Sequence, residues 1–325
     1  MGATVRVGTC SWADETLTKV WYPRNVRSGE ARIRHYADRF DVVEANSTYY
    51  RLPDAELVGN WAERVPEGFT MHVKAFGLMT RHPVKVEALP EDLRDAMPVD
   101  DRGRVDRPPR ELRAEVFRRF HRALEPLRER GKLGGILLQF PSYVVYKEAS
   151  LDYLAWAIEE LRGDEPLVEF RHRSWLDEEH RAKTLSFLES HGASYVIVDA
   201  PKTEAKNLVP TVVATTSGTA YVRFHGRNAS TWNRRTGSAA ERFDHLYSYD
   251  ELREWVEPLR ELAAESDSVY AMFNNNGRSQ MPSTGLEGLD PAEIAGDPAK
   301  GEVAQAPANA LMLRRLLVDA GVPIA

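Results

Sequence analysis

The sequence predicts a single α/β domain folded as a (β/α)8 barrel. Three observations carry that prediction. Eight short runs rich in β-branched and aromatic residues recur along the 325 residues, each of strand length. Amphipathic stretches of helical period separate most of them. Strands that alternate with helices build a parallel sheet, and eight is the number that closes into a barrel.

The predicted strands are Val5–Thr9, Val42–Asn46, Thr70–Ala75, Gly135–Phe140, Leu167–Arg171, Tyr195–Asp199, Ala220–His225 and Val269–Asn274. Helical periodicity covers Glu30–Phe40, Ala55–Val65, Glu111–Arg130, Leu151–Leu161, Asp177–His191, Asp250–Ala264 and Ala308–Ala320. Pro126 and Pro258 fall inside such patterns and are expected to kink or restart them. Ser248 and Glu251 have capping-box spacing, and Gly131 is placed to end the helix before it. The crossover at 201–218 has no helical period, so loop or short turns are expected. Two stretches rich in proline, glycine or charge, at about 80–110 and 277–305, read as insertions. Both follow strands, which puts them on the C-terminal rim, where long loops are commonly functional.

Composition narrows the class. Apolar residues make up 42% and charged residues 28%, which excludes collagen-like, disordered and membrane-embedded chains. The net charge of −6 argues against non-specific coating of nucleic acid, which needs a basic surface. Cys10 is the one cysteine, so no intrachain disulfide can form and a reducing cytoplasm is expected. The start of the chain has neither the basic opening nor the long apolar middle of a secretory leader. No membrane partner is expected; the oligomeric state is left open.

Side chains alternate along a strand, so each run divides into two sets. One set is apolar throughout and belongs under the helices: Val43, Ala45, Met71, Val73, Ile136, Leu138, Val168, Val196, Val198, Val222, Phe224, Ala271 and Phe273. The other turns polar toward each strand's C-terminal end: Glu44, Asn46, His72, Lys74, Gln139, Glu169, Arg171, Asp199, Arg223, His225 and Asn274. In a barrel this second set faces the axis and ends at the face where such barrels keep their chemistry. A satisfied polar plug is the competing explanation, because ionisable groups in a desolvated place must pair.

Several segments resemble one family. Val43-Glu44-Ala45-Asn46-Ser47-Thr48-Tyr49-Tyr50-Arg51-Leu52-Pro53, Leu138-Gln139-Phe140-Pro141 and Glu169-Phe170-Arg171-His172-Arg173-Ser174-Trp175 match it. So do Val198-Asp199-Ala200-Pro201, Tyr221-Val222-Arg223-Phe224-His225-Gly226-Arg227 and Phe273-Asn274-Asn275-Asn276. The chain is similar over nearly its whole length to the YecE-like family of domains of unknown function, the seventy-second of that series. The resemblance implies a TIM-type barrel and supplies no activity. It departs from the family at Gly8-Thr9-Cys10-Ser11-Trp12, where a glycine usually follows the serine, and in the spacing before Asn309-Ala310.

The residues themselves point to an anion-binding enzyme. Glu44, Glu169 and Asp199 are candidate general acids and bases, with His225 as proton shuttle. Asn46, Lys74, Gln139, Arg171, Arg223, Arg227, Trp232, Asn274 and Asn276 are candidate substrate-binding residues. Arginine forks suit phosphate or carboxylate, Trp232 could stack on a base or sugar, and asparagines orient a sugar or amide. Arg234 and Arg235 add charge to the same loop, and Trp12, Trp21 and Tyr22 are candidate pocket walls. Ser174 is read as an N-cap, and Cys10 as buried filling. The expected substrate is a small anionic molecule, phosphorylated or sugar-containing, under hydrolase, isomerase or lyase chemistry. One alternative is a metal-dependent phosphodiesterase acting on nucleic acid; the other is a non-catalytic ligand-binding protein. No cofactor is firmly implied. A divalent metal on the carboxylates with His72 and His225 is the lesser expectation, since no HExxH or CxxC spacing accompanies them.

Overall fold

Eight parallel strands close into the predicted barrel in a computed structural model of the chain, which describes residues 2–232, 243–281, 294 and 301–325. The strands are β1 (Val5–Thr9), β2 (Val42–Ala45), β3 (Thr70–Lys74), β4 (Leu133–Gln139), β5 (Pro166–Glu169), β6 (Ser194–Asp199), β7 (Thr219–Phe224) and β8 (Ser268–Phe273). Each pairs with its neighbours in sequence, and β1 closes the ring against both β2 and β8. The β1–β2 seam is tight. A Cβ on Gly8 would sit 2.3 Å from the Val42 carbonyl oxygen, so only glycine lets the two backbones approach.

Outward-facing Val43, Met71, Ile136, Val168, Val222 and Phe273 are all fully buried beneath the helix layer. Each such side chain contributes roughly 1.5–3 kcal/mol by leaving water. The helices break where proline demanded it. The third predicted helix splits into Arg110–Ala123 and Glu125–Glu129, with Pro126 in the first turn of the second piece. Likewise Asp250–Ala264 divides into Tyr249–Arg253 and Val256–Glu265. Ser248 and Glu251 form both bonds of the capping box, and Gly131 has a φ of 61°. Residues 201–218 contain no helix. Ser174 is not a helix cap: its Oγ accepts from the Tyr146 amide, and the helix that follows begins at Arg181.

One strand has the opposite phase to that expected. In a parallel ladder, paired residues face the same side. Val198 pairs with Arg223, and Asp199 pairs with Phe224. Val196 and Val198 therefore face the axis, whereas Asp199 faces the helix layer with Phe224. The sequence Tyr195-Val196-Ile197-Val198 is apolar on both faces, so only its terminal aspartate suggested a phase, and that cue misled.

The 80–110 segment folds over the rim. Val84–Lys85 pairs antiparallel with Arg104–Val105, and Leu89, Leu93, Met97 and Val105 are buried in the core. Within the second insertion, Arg278–Gln280 pairs antiparallel with Glu302–Ala304 ahead of the helix Gln305–Asp319. Most of 277–305, and Arg234 and Arg235, lie outside the described residues. Among the described residues no helix is long and apolar enough to cross a membrane.

Candidate functional site

The polar ends of β2, β3, β4, β5, β7 and β8 meet at the C-terminal mouth in two tiers. The lower tier is a closed ion network. Arg223, wholly buried, donates Nη2 to Glu44 Oε1 at 2.6 Å and Nη1 to Glu169 Oε2. Tyr221 donates its hydroxyl to Glu44 Oε2 at 2.8 Å. Glu169 Oε1 accepts from Gln139 Nε2 at 2.7 Å and pairs with Arg171 Nε. Burial pushes the Glu169 carboxyl up, but the Arg171 and Arg223 guanidinium groups outweigh it and hold it well below the usual range. The same carboxylates raise Arg223 against the cost of its burial.

His225 completes this tier. Its Nδ1 lies 3.0 Å from the Asn274 amide nitrogen, and its Nε2 lies 3.2 Å from Glu169 Oε1 and 3.0 Å from Arg171 Nη2. Burial, with Arg171 beside it, lowers its pKa to about 3. In the neutral imidazole Nε2 can either donate to Glu169 or accept from Arg171, which only donates, but not both. Glu44, Glu169 and His225, expected as catalytic groups, thus lie under the site floor with their atoms engaged. Arg223, expected to hold substrate, is the bolt of that floor.

Asp199 and Arg227 stand apart. Asp199 accepts from Trp255 Nε1 at 2.8 Å, Tyr247 hydroxyl at 2.7 Å and Arg227 Nη2 at 2.7 Å. Arg227 also donates to Glu254 at 2.9 Å. Both line an outer groove beside Trp255 and Glu254, away from Glu169. The expected placement of Asp199 and Arg227 in the barrel mouth is therefore corrected: β6 presents its opposite face, and Arg227 follows Asp199 and Glu254 to the outer groove. His72 is likewise remote. It sits edge-on between Tyr221 and Tyr270 deep in the barrel, and neither ring nitrogen has a hydrogen-bond partner among the described residues.

The upper tier opens into a cavity of about 380 Å³ lined by Asn46, Lys74, Gln139, Arg171, Asn274 and Asn276, with Cys10, Trp12, Asp14, Tyr50 and Phe243. These six polar residues are among the nine substrate-binding candidates of the sequence; Arg223, Arg227 and Trp232 do not line the cavity. Trp232 packs behind Arg171, 5.5 Å from its guanidinium, and beside His225 and Phe243. Trp12 serves as a wall, whereas Trp21 packs on Tyr36 and Phe40 and Tyr22 bonds the Trp12 carbonyl.

Two titratable groups define the cavity. Lys74 Nζ donates to Gln139 Oε1 at 2.7 Å and lies 4.5 Å from the centre of the Tyr49 ring. It makes no ion pair among the described residues. Burial first, then Arg223, lowers its pKa to about 7, with Glu169 and Glu44 opposing. Asp14 was missed in the sequence. Its Oδ1 accepts from the Leu17 amide at 3.0 Å, while its buried Oδ2 has no hydrogen-bond partner among the described residues. Burial raises its pKa to about 6. Its position in the loop after β1 was the available signal, since that loop belongs to the same rim. The Cys10 thiol is pushed well up by burial and by Glu44, which leaves it inert.

The donor set does not suit a metal. Glu44 and Glu169 spend their oxygens on arginine, tyrosine and glutamine, and among the described residues no three His, Cys, Asp or Glu side chains converge as ligands.

A closed parallel barrel with a polar mouth and a buried ion network beneath it defines the class of protein. The chain belongs to the family described as "Protein of unknown function DUF72", whose model matches residues 6–298. It is 30% identical over 295 residues to the UPF0759 protein YunF of Bacillus subtilis (strain 168), across 89% of this chain and 95% of that one. Among solved structures, a DUF72 family protein of Thermotoga maritima MSB8 is 29% identical with a TM-score of 0.70, covering 97% of this chain and 99% of that one. A DUF72 family protein of Enterococcus faecalis V583 is 23% identical with a TM-score of 0.73, covering 97% and 96%.

Proposed function

We propose that this protein is a cytoplasmic enzyme that holds a small anionic molecule, phosphorylated or sugar-containing, in the mouth of the barrel. One observation carries the reading. Lys74 and Arg171 both line the cavity, and Lys74 makes no ion pair among the described residues, because Glu44 and Glu169 are engaged by Arg223, Arg171, Tyr221 and Gln139. The charge of Lys74 and Arg171 lies in a half-buried place, where it is screened less than at the surface. Asn46, Asn274 and Asn276 add uncharged donors and acceptors for hydroxyl or amide groups, and Asp14 and Lys74 supply groups that exchange protons near neutral pH. The lone cysteine, buried and unable to pair within the chain, is consistent with a reducing compartment.

Sulfate or phosphate should raise the melting temperature by mass action if it binds only the folded form. The rise should shrink in Arg171→Gln and persist in Arg227→Gln, whose guanidinium is committed to Asp199 and Glu254. Equal protection of wild type and Arg171→Gln would overturn the assignment. Saturable binding of a panel of sugar phosphates without turnover of any would favour the non-catalytic alternative.

A further inference from the structure

We propose that Lys74 is a nucleophilic amine that forms an imine with the carbonyl carbon of a small oxo acid whose anionic group rests on Arg171. This rests on the anion-binding reading of the mouth and narrows it to a substrate class. The geometry is specific. Lys74 ends β3 with its ammonium in the cavity, beside two arginines, and the nearby Glu44 and Glu169 are already engaged by those arginines. Its Nζ is held by a neutral amide oxygen and an aromatic face. Neither contact forbids loss of the proton. A cationic neighbour and desolvation are the two ordinary means of freeing a lysine amine for attack on a carbonyl.

The charged and titratable surroundings act in that direction. Arg223 and Arg171 disfavour the ammonium, Glu169 and Glu44 partly restore it, and burial dominates, so that Lys74 gives up its proton far more readily than an exposed lysine. His82, in the segment after β3, is itself held neutral, its pKa lowered to about 3 by burial and by Lys74. Tyr49 keeps its proton, because burial raises it.

The step balances without a further reagent. The Nζ lone pair adds to the carbonyl carbon, the π pair moves to oxygen, and a proton moves from nitrogen to oxygen to give the carbinolamine. The carbinolamine then loses its hydroxyl, which leaves as water on receiving a proton, and the nitrogen lone pair forms the C=N bond. The proton that the departing hydroxyl needs comes from solvent, to which the cavity opens at the barrel mouth. An α-oxo acid fits because it sets a carboxylate for Arg171 next to a carbonyl for Lys74.

The test is reductive trapping. The full chain is incubated with glyoxylate or pyruvate and sodium cyanoborohydride, and the adduct is located by intact mass and peptide mapping. The chain has nine lysines, so the site is readily resolved. We expect one adduct per chain, on Lys74, formed at a rate that saturates with the oxo acid and rises with pH through about 7. Sulfate should slow it. Lys74→Arg, which keeps the charge, should lose it, with folding checked by circular dichroism. Lys74 labelled no faster than the exposed lysines in wild type would overturn the proposal, whatever the variant does. If sulfate still protects the fold against heat in that case, the imine falls and the anion site stands. If sulfate neither protects nor competes, while Lys74 is still trapped selectively, the amine stands and the anion reading falls.

Discussion

Glu169 and Asp199 each bring a negative charge into a place closed to solvent, and each is surrounded by donors built to receive it. Removing one partner of a buried ion pair leaves the other uncompensated and costs roughly 3–5 kcal/mol. Glu169→Gln and Asp199→Asn should therefore each lower stability by that order in denaturant titration, without reference to any ligand. An unchanged or raised midpoint would mean that these carboxylates are held for chemistry instead. Asp14 behaves oppositely. Its folded pKa is raised to about 6 from 3.8, so the folded state holds a proton that the unfolded state has lost. That contribution is complete below about 3.8 and fades as pH rises through about 6. Asp14→Asn should accordingly be more stable than wild type at pH 7.5 and lose that advantage at pH 4. Melting curves at the two pH values check the crossing.

At the scale of elements, what could be read in advance depended on contrast between the two faces of a strand. β2, β5 and β7 alternate a charge with an aliphatic residue, so Glu44, Glu169 and Arg223 declared the axis side and the structure places them there. β6 offers no such contrast, and its phase is fixed by pairing with β5 and β7, a long-range constraint invisible along a single run. The pairing among mouth residues was hidden for a related reason. Alternation gives the side a residue faces, but whether Arg223 reaches a ligand or two carboxylates depends on depth along the axis. Asp14 escaped notice because it lies in a turn, outside any periodic pattern. Gly8 belongs to the same class of long-range constraint. A methyl group there would meet the Val42 backbone at 2.3 Å, and a main-chain atom in a closed barrel has nowhere to move. Gly8→Ala should open the β1–β2 seam and destabilise the fold by more than the ~1 kcal/mol expected for removing the Ser248 cap in Ser248→Ala. Parallel thermal melts of the two variants rank them.

For the whole molecule, the barrel keeps its stabilising charges below the mouth and its adjustable ones in it. Lys74 and Asp14 have pKa values near neutrality of about 7 and about 6, so the mouth changes charge under conditions where the ion network beneath does not. Lys74 has a folded pKa depressed from 10.5. Its proton is held more tightly by the unfolded chain, so its contribution to stability is full above about 10.5 and is lost as pH falls through about 7. An anion that binds beside the ammonium reverses this by favouring the protonated form in the folded state. Protection by sulfate should thus be greater at pH 6, where Lys74 and Arg171 both carry charge, than at pH 8.5, where Arg171 acts alone. Binding at pH 7 should draw a proton from the buffer, visible in titration calorimetry as heat that varies with the buffer's ionisation enthalpy. In Lys74→Gln the pH dependence and the proton uptake should both shrink to what Asp14 contributes, while weaker protection from Arg171 remains. Protection that is flat from pH 6 to 8.5 in wild type, with no proton uptake, would show that Lys74 takes no part in holding the anion.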